Sequence, residues 1–194
     1  TAFVIQAQQG DRAAFSRLVR HFQQMAVGYA YSVLGDFHLA EDAAQEAFVQ
    51  AYLDLPKLRE PQAFSAWLRR MVFKYCDRQY RGKRLWTETL EHARHIPSQE
   101  DGPLQQTIRQ ELSDKIMRTI QALPEAQRAV TTLCYIDGYS QAEVGEFLEI
   151  PVSTVKSRLH QARKNLQQTM SDMIETSVKQ HAPGKDFTRN VEEI

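Results

Sequence analysis

The basic side chains of this 194-residue chain are concentrated in two stretches. From Lys57 to Trp86, nine Lys or Arg residues stand against two acids, and Ile150 to Thr169 contains four Lys or Arg residues and no acid. The formal net charge of the chain is zero, which argues against a protein that coats nucleic acid indiscriminately. Because clustered guanidinium and ammonium groups bind phosphate, the two stretches predict two separate contacts with a polyanion.

Residue sets for covalent or metal chemistry are missing from the sequence. It has no P-loop, no His-x-Glu or Cys-x-x-Cys metal motif and no nucleophile motif. The one histidine cluster, Glu91–His95, falls in a segment with the composition of a linker. Cys76 and Cys134 are the only cysteines, which indicates a reducing compartment and no disulfide framework. We therefore expect no enzymatic activity, no cofactor and no bound metal.

The overall composition is typical of a globular protein in the cytoplasm. Hydrophobic residues make up 42% of the chain and charged residues 25%. No apolar run reaches the roughly 18 residues of a membrane span. The first residues also lack the basic region and apolar stretch of a secretory signal. We expect a cytoplasmic location without membrane insertion.

Helical periodicity extends through nearly the whole chain, and strand patterns are missing. The clearest predicted helix lies between Asp36, a predicted N-cap, and Pro56, a predicted stop. Similar stripes run from Phe15 to Tyr29 and from Phe64 to Tyr75. The apolar stripe of the clearest helix consists of Ala40, Ala43, Ala44, Ala47, Phe48, Ala51, Tyr52 and Leu55. The predicted fold is all-α.

Changes in composition divide the chain into two small helical domains joined by a flexible linker. Residues 1–86 contain three apolar stripes, which can bury a shared core. Residues 87–111 include two prolines and a glycine with few large apolar side chains, and are the predicted linker. Residues 112–169 form the second predicted domain, and residues 170–194 are an extension of unknown role.

The second domain contains a helix-turn-helix pattern. Ser140–Glu143 has the spacing of a capping box and begins a short helix, which Glu149–Pro151 ends in a tight turn. The helix from Val152 to about Met170 carries four basic residues and, up to Thr169, no acid. A basic helix that follows a short turn is typical of DNA recognition.

Several motifs over about residues 3–169 resemble bacterial sigma factors, in order and at matching spacing. Residues 34–48 resemble the polymerase-binding helix of that family, and residues 64–81 its −10 promoter-binding helix. Residues 123–144 and 154–163 resemble its last domain, including the recognition helix. With no middle domain, the chain is similar to the extracytoplasmic-function (ECF, group IV) sigma factors. The resemblance implies a transcription initiation factor that binds core RNA polymerase and directs promoter recognition and melting.

The resemblance also implies three sets of contacts. Core polymerase is expected to contact an acidic face made of Asp36, Glu41, Asp42, Gln45 and Glu46. DNA on the −10 side is expected to contact Lys57, Arg59, Phe64, Trp67, Arg70, Lys74, Arg78, Arg81 and Arg84. DNA on the −35 side is expected to contact Ser153, Thr154, Lys156, Ser157, Arg158, Arg163 and Lys164. In the recognition helix, Val155 and Leu159 are expected to be buried.

The loop at about Lys57–Ala63 is expected, from the resemblance, to capture a base that leaves the DNA stack during promoter opening. Phe64 and Trp67 lie at its edge and are interpreted either as base contacts or as core aromatics at helical spacing. Without an ATP motif, capture of unstacked bases would have to drive melting.

The expected partners are core RNA polymerase, promoter DNA and an anti-sigma factor. The two domains, which differ in local charge, are expected to pack together in the free protein and to mask the basic surfaces. The alternative function is a stand-alone helix-turn-helix transcriptional regulator with an N-terminal effector domain.

Overall fold

The structure is a computed structural model that describes the backbone of residues 1–86 and 115–180 and the side chains of residues 1–81 and 115–172. The N-terminal unit consists of α1 (Ala2–Gln8), α2 (Arg12–Leu34), α3 (Phe37–Asp54) and α4 (Phe64–Trp86). Two short 3-10 turns, Leu55–Lys57 and Pro61–Ala63, connect α3 to α4.

The C-terminal unit consists of α5 (the described residues 115–121), α6 (Glu125–Thr131), α7 (Gln141–Leu148) and α8 (Val152–Gln180). A π-helical segment, Thr132–Ile136, continues α6. The residues that the structure describes contain no strand, and α7 and α8 form a helix-turn-helix. The predicted all-α fold with a helix-turn-helix in its second part is therefore confirmed.

Capping side chains set the helix ends of the N-terminal unit. The Asp11 carboxylate accepts hydrogen bonds from two backbone N–H groups at the start of α2. Gly35 ends α2 with a left-handed φ of 67°, and Asp36 then accepts a 3.1 Å hydrogen bond from the Leu39 N–H to begin α3. The predicted cap at Asp36 is confirmed, and α3 ends at Asp54, just before Pro56.

Small side chains allow α3 to pack closely between α2 and α4. The five alanines of its predicted stripe are at most 2% exposed, and Phe48 and Leu55 are also buried. Tyr52 is the exception to the predicted stripe, because it is 39% exposed and meets Phe15 edge to face on the flank of the core.

The predicted capping box begins α7. The Ser140 hydroxyl accepts a hydrogen bond from the Glu143 N–H, and the Glu143 carboxylate accepts one from the Ser140 N–H. Glu149 then ends α7 with a φ of 56°, in the left-handed region that disfavours residues with a side chain. Val155 and Leu159 of α8 are 0% and 4% exposed, so their predicted burial is confirmed.

The two units share one hydrophobic core. The rings of Tyr29 and Phe147 are 5.6 Å apart between centroids, and Phe147 is fully buried. The Gln121 side chain donates a 3.1 Å hydrogen bond to the Tyr31 carbonyl of α2. Helix α4 contacts α7, and α2 contacts both α6 and the π-helical segment. We call this arrangement the closed form, and it confirms the expectation that the domains pack together.

One predicted boundary is wrong. The helix that was expected to end at about Met170 continues as α8 to Gln180. The side chains of residues 167–172 are exposed, so this part of α8 continues without the buried apolar stripe on which the prediction relied. The predicted linker at residues 87–111, the Glu91–His95 cluster and residues 181–194 lie outside the described part of the chain.

Candidate nucleic-acid interface

The acidic residues predicted for polymerase binding lie along α3. Asp36 caps the helix, while Asp42 and Gln45 are exposed and Glu41 and Glu46 are half-buried. Glu46 accepts a 3.3 Å hydrogen bond from Arg78 of α4. The face is therefore an acidic stripe that borders the basic surface of the neighbouring helix.

Two apolar residues extend the same stripe, and the sequence reasoning missed both. Val49 and Leu53 are 63% and 62% exposed. With Asp42 and Gln45 they are spaced by three or four residues, so all four side chains share one face of α3. The signal in the sequence was the regular spacing of these four residues, which places them on a helix face next to the buried alanine stripe. An acidic stripe with exposed apolar side chains suits a protein partner better than solvent alone.

The basic residues of α4 form a second, exposed stripe. Arg70, Lys74, Arg78 and Arg81 recur at intervals of three or four residues, and all four are exposed. Lys57 and Arg59 are exposed beside the 3-10 turn that ends at Lys57, and the Arg84 side chain is outside the described part of the chain. Arg81 pairs with Asp77 and Lys57 with Asp54, both within one turn of chain. These pairs are exposed and weak, which leaves the cations available to phosphate.

The predicted base-capture loop borders a depression of about 460 Å³. Pro61 and Gln62 of the loop, His21 and Phe22 of α2 and Ser65 of α4 are among the residues that line it. Phe64 is 2% exposed and packs against Phe22 and Trp67, so its ring lies in the core in this state. Trp67 is half-buried.

A hydrogen-bonded side chain of α1 holds the start of this loop, and the sequence reasoning missed it. Gln8 donates to the carbonyl oxygens of Leu55 and Leu58, at 3.1 and 2.7 Å. These residues are about 50 positions apart in the chain, so no local pattern reveals the contact. Gln8 thereby positions the turn between α3 and α4.

In the closed form, the C-terminal unit contacts part of the basic stripe of α4 that is predicted to bind DNA on the −10 side. Glu149 of the turn before α8 accepts hydrogen bonds of 2.7 Å from Arg69 and 2.8 Å from Arg70. The hydrogen bond from Arg69, joined by that from Arg70, holds the pKa of Glu149 below its usual value. Glu146 of α7 also lines the depression beside the loop. Glu149 of the turn before α8 thus holds two α4 arginines, and Glu146 of α7 lies beside the predicted base-capture loop.

The predicted recognition helix, α8, remains largely accessible in the closed form. Thr154 and Arg158 are half-buried, and the other five predicted contacts, Ser153, Lys156, Ser157, Arg163 and Lys164, are exposed. Arg163 donates a 2.7 Å hydrogen bond to the Tyr135 hydroxyl. The expected masking of both basic surfaces is therefore only half right, because the closed form engages α4 and leaves most of the predicted −35 contacts on α8 exposed.

The described residues also bear on metal binding and on membrane insertion. Among them, no group of three or more His, Cys, Asp or Glu side chains is arranged to hold a metal ion. None of the described helices is both long and apolar enough to span a bilayer. Burial raises the pKa of the Cys76 thiol to about 12, so this cysteine is an unreactive core residue.

Comparison with known families gives two matches in the order of the two units. Residues 18–85 match the family described as Sigma-70 region 2. Residues 113–166 match the family described as Sigma-70, region 4.

Individual relatives resemble the chain over most of its length. The ECF RNA polymerase sigma factor SigW of Bacillus subtilis is 34% identical over 87% of this chain and 95% of its own length. The ECF RNA polymerase sigma-E factor of Escherichia coli is 30% identical over 88% of this chain and 94% of its own length. A solved structure of CnrH in complex with the cytosolic domain of CnrY matches with a TM-score of 0.61 and 26% identity, covering 88% of this chain and 96% of that one.

Proposed function

The chain belongs to the extracytoplasmic-function sigma factors, and we propose that it contacts core RNA polymerase through α3 and promoter DNA through α4 and α8. It acts as a transcription initiation factor. The observation that carries the residue assignment is the pair of adjacent stripes, one acidic and apolar on α3 and one basic on α4. A single small unit can thereby bind a protein on one face and DNA on the next.

The α3 stripe is the proposed polymerase contact. Its acids suit a basic partner helix, and charge complementarity of this kind increases the association rate and sets the register. Val49 and Leu53 supply apolar area that becomes buried only in a complex. The proposed contact set is therefore Asp36, Glu41, Asp42, Gln45, Glu46, Val49 and Leu53.

The α4 stripe is the proposed −10 contact. Its cations would hold phosphates, and the depression beside Pro61 and Gln62 would receive an unstacked base. In the closed form Arg69 and Arg70 are engaged by Glu149. Binding at the −10 element therefore requires the turn before α8 to move away from α4.

The N-terminal half of α8 is the proposed −35 contact. Its exposed residues precede the buried Leu159, as expected of a helix that enters the major groove with its first turns. Arg158 is the proposed guanine contact, while Arg163 and Lys164 would hold the DNA backbone.

Further features of the proposal rest on the two-unit architecture and on the relatives. We assign the chain to group IV, with residues 1–86 and 112–169 as its two domains. CnrH was solved in complex with the cytosolic domain of CnrY, and the sigma factor RpoE from Bartonella quintana was solved in complex with the anti-sigma factor NepR. By analogy, this chain would bind an anti-sigma factor in the cytoplasm, and it would catalyse no covalent step.

A binding assay with purified core RNA polymerase tests the α3 assignment. We expect Asp42→Arg to weaken binding by at least about tenfold, because it places a like charge against a basic partner surface. Glu125→Arg, a charge reversal at an exposed residue of α6, is the matched control and should bind as the wild type does. If Asp42→Arg bound core polymerase with the affinity of the wild type, α3 would not be part of the interface. Tight duplex binding by the free chain, without polymerase affinity, would favour the stand-alone regulator.

A further inference from the structure

A cleft of about 650 Å³ lies between the two units, and none of the described residues that line it belongs to α4. Helix α2, the start of α3, α5 and the π-helical segment all contribute to its walls. Its volume is within the range of sites for small organic ligands, which commonly lie between domains. None of the proposed contacts with DNA lies in it.

Two buried polar groups of the C-terminal unit line the cleft. The Thr132 side chain is 1% exposed, and its hydroxyl oxygen has no hydrogen-bond partner within the described part of the chain. One carboxylate oxygen of Asp137, Oδ2, is also buried without such a partner. Because buried polar atoms in folded proteins are nearly always hydrogen-bonded, these two atoms favour a ligand that donates hydrogen bonds.

The position of Asp137 depends on a glycine in the middle of α2. A Cβ atom added at Gly28 would overlap Asp137 Oδ2, so only glycine at this position allows the carboxylate to lie against the helix. Glycine in a helix interior costs about 1 kcal/mol relative to alanine. The sequence thus keeps a locally unfavourable residue at the place where it admits the carboxylate to the cleft wall.

The other residues of the cleft wall favour a ligand that has both a positive charge and apolar surface. Glu41 is a second acid in the lining, and the described residues that line the cleft include no Lys, Arg or His. Apolar and aromatic surface comes from Val27, Tyr31, Phe37, Met117 and Ile136. Burial raises the pKa of Asp137 to about 6, against the effect of a hydrogen bond from Gln24, so near neutral pH a buried anion lies in the cleft.

We propose that this cleft is a binding site for a small cationic amphiphile, a primary amine or guanidinium carried on a compact apolar body. The cation would donate to Asp137 and Thr132 and would lie near Glu41. The apolar body would pack between Phe37, Met117 and Ile136. A charge-assisted hydrogen bond to a buried carboxylate gives the selectivity for cations over neutral molecules of the same shape.

Ligand binding would be coupled to the closed form. The walls come from both units, so the complete site exists only when they are packed together, and a bound ligand would stabilise that arrangement. Any effect of this stabilisation on promoter binding rests on the proposed function, whereas the binding site itself does not.

The first test is a calorimetric titration of the full chain with phenylbutylamine, compared with phenylbutanol as a neutral molecule of similar shape. We expect saturable binding of the amine at about 1:1 and affinity for the alcohol at least about tenfold lower. Asp137→Asn should weaken amine binding by at least about tenfold, and Thr132→Val by less. Glu125→Gln, which removes an exposed carboxylate outside the cleft, is the matched control and should not change it.

Four outcomes would overturn the proposal: no saturable binding of the amine, equal affinity for the alcohol, unchanged amine affinity in Asp137→Asn, or amide shift changes that map outside the cleft. Circular dichroism of Asp137→Asn separates a lost contact from a lost fold, and backbone amide shifts in the wild type must map to the cleft. These experiments contain neither polymerase nor DNA, so their failure would leave the sigma factor assignment intact.

Discussion

Glu149 accepts hydrogen bonds from Arg69, which lies 80 residues earlier in the chain, and from Arg70. It does so from a left-handed backbone conformation, the only positive φ at a non-glycine residue in the described part of the chain. A side chain in this conformation carries a strain of roughly 1 kcal/mol. The strained turn thus presents its carboxylate to Arg70, one of the proposed −10 contacts, and to its neighbour Arg69, which connects the closed form to the proposed promoter binding.

Glu149→Gln should shift the protein toward an open form. The change removes the charge and keeps the backbone conformation, and exposed ion pairs of this kind contribute about 1 kcal/mol or less. We expect the ratio of closed to open molecules to fall by about fivefold at most, seen as a larger radius of gyration in small-angle X-ray scattering. Glu125→Gln is the control. An unchanged scattering profile for Glu149→Gln would show that the apolar contacts alone hold the units together.

Gly28→Ala should also open the closed form. The added methyl overlaps Asp137 Oδ2, although alanine is intrinsically favourable in a helix by about 1 kcal/mol. The double variant with Asp137→Ala removes the overlap and should restore the compact scattering profile. Additive effects of the two substitutions would contradict a direct contact between these positions.

Closure should depend on pH through Asp137. Burial raises the pKa of Asp137 from the ordinary aspartate value of 3.8 to about 6 in the closed form. The contribution of the protonated carboxyl to closure is therefore complete below the lower value and is lost as pH rises through the higher one. Arg69 and Arg70 lower the pKa of Glu149 below 4.5, so that contact is lost only in stronger acid. Scattering should therefore show more closed protein near pH 5 than near pH 7.5. Asp137→Asn should abolish the difference, and a flat wild-type profile would be incompatible with this account.

Val49→Ser and Leu53→Ser should weaken polymerase binding and leave stability nearly unchanged. Both side chains are more than 60% exposed in the free chain, so their removal costs little folding energy. Burial of such a side chain in a complex contributes about 1–2 kcal/mol, so the double variant should lose at least about tenfold in affinity. Ile116→Ser, at a residue that is 47% exposed on α5, is the matched control. Equal losses of polymerase affinity in Val49→Ser, Leu53→Ser and Ile116→Ser would indicate a nonspecific effect.

Local rules predicted the features that depend on neighbouring residues. The caps at Asp36 and Ser140 follow from a polar side chain placed before an apolar stripe. The burial of Val155 and Leu159 follows from helical periodicity, because one turn repeats every 3.6 residues. The all-α fold and the helix-turn-helix are built from such signals.

Features that join distant parts of the chain were not predictable in the same way. The sequence reasoning had no means to pair Glu149 with Arg69, or Gln8 with the carbonyl of Leu58, because no periodicity connects them. From its neighbours in the sequence, Gly28 is only a residue that destabilises the middle of a helix. The space that it leaves is explained by the Asp137 carboxylate, which comes from the other unit. The extension of α8 was missed because its exposed last turns carry no buried stripe.

Run-off transcription with core polymerase on genomic fragments of the host, with and without this protein, tests the central claim most directly. We predict discrete transcripts that require the protein, that Asp42→Arg and Arg158→Ala each abolish or strongly reduce, and that Glu125→Arg leaves unchanged. Transcripts that are the same with and without the protein, or that are insensitive to both substitutions, would contradict the assignment of α3 to polymerase and α8 to promoter DNA.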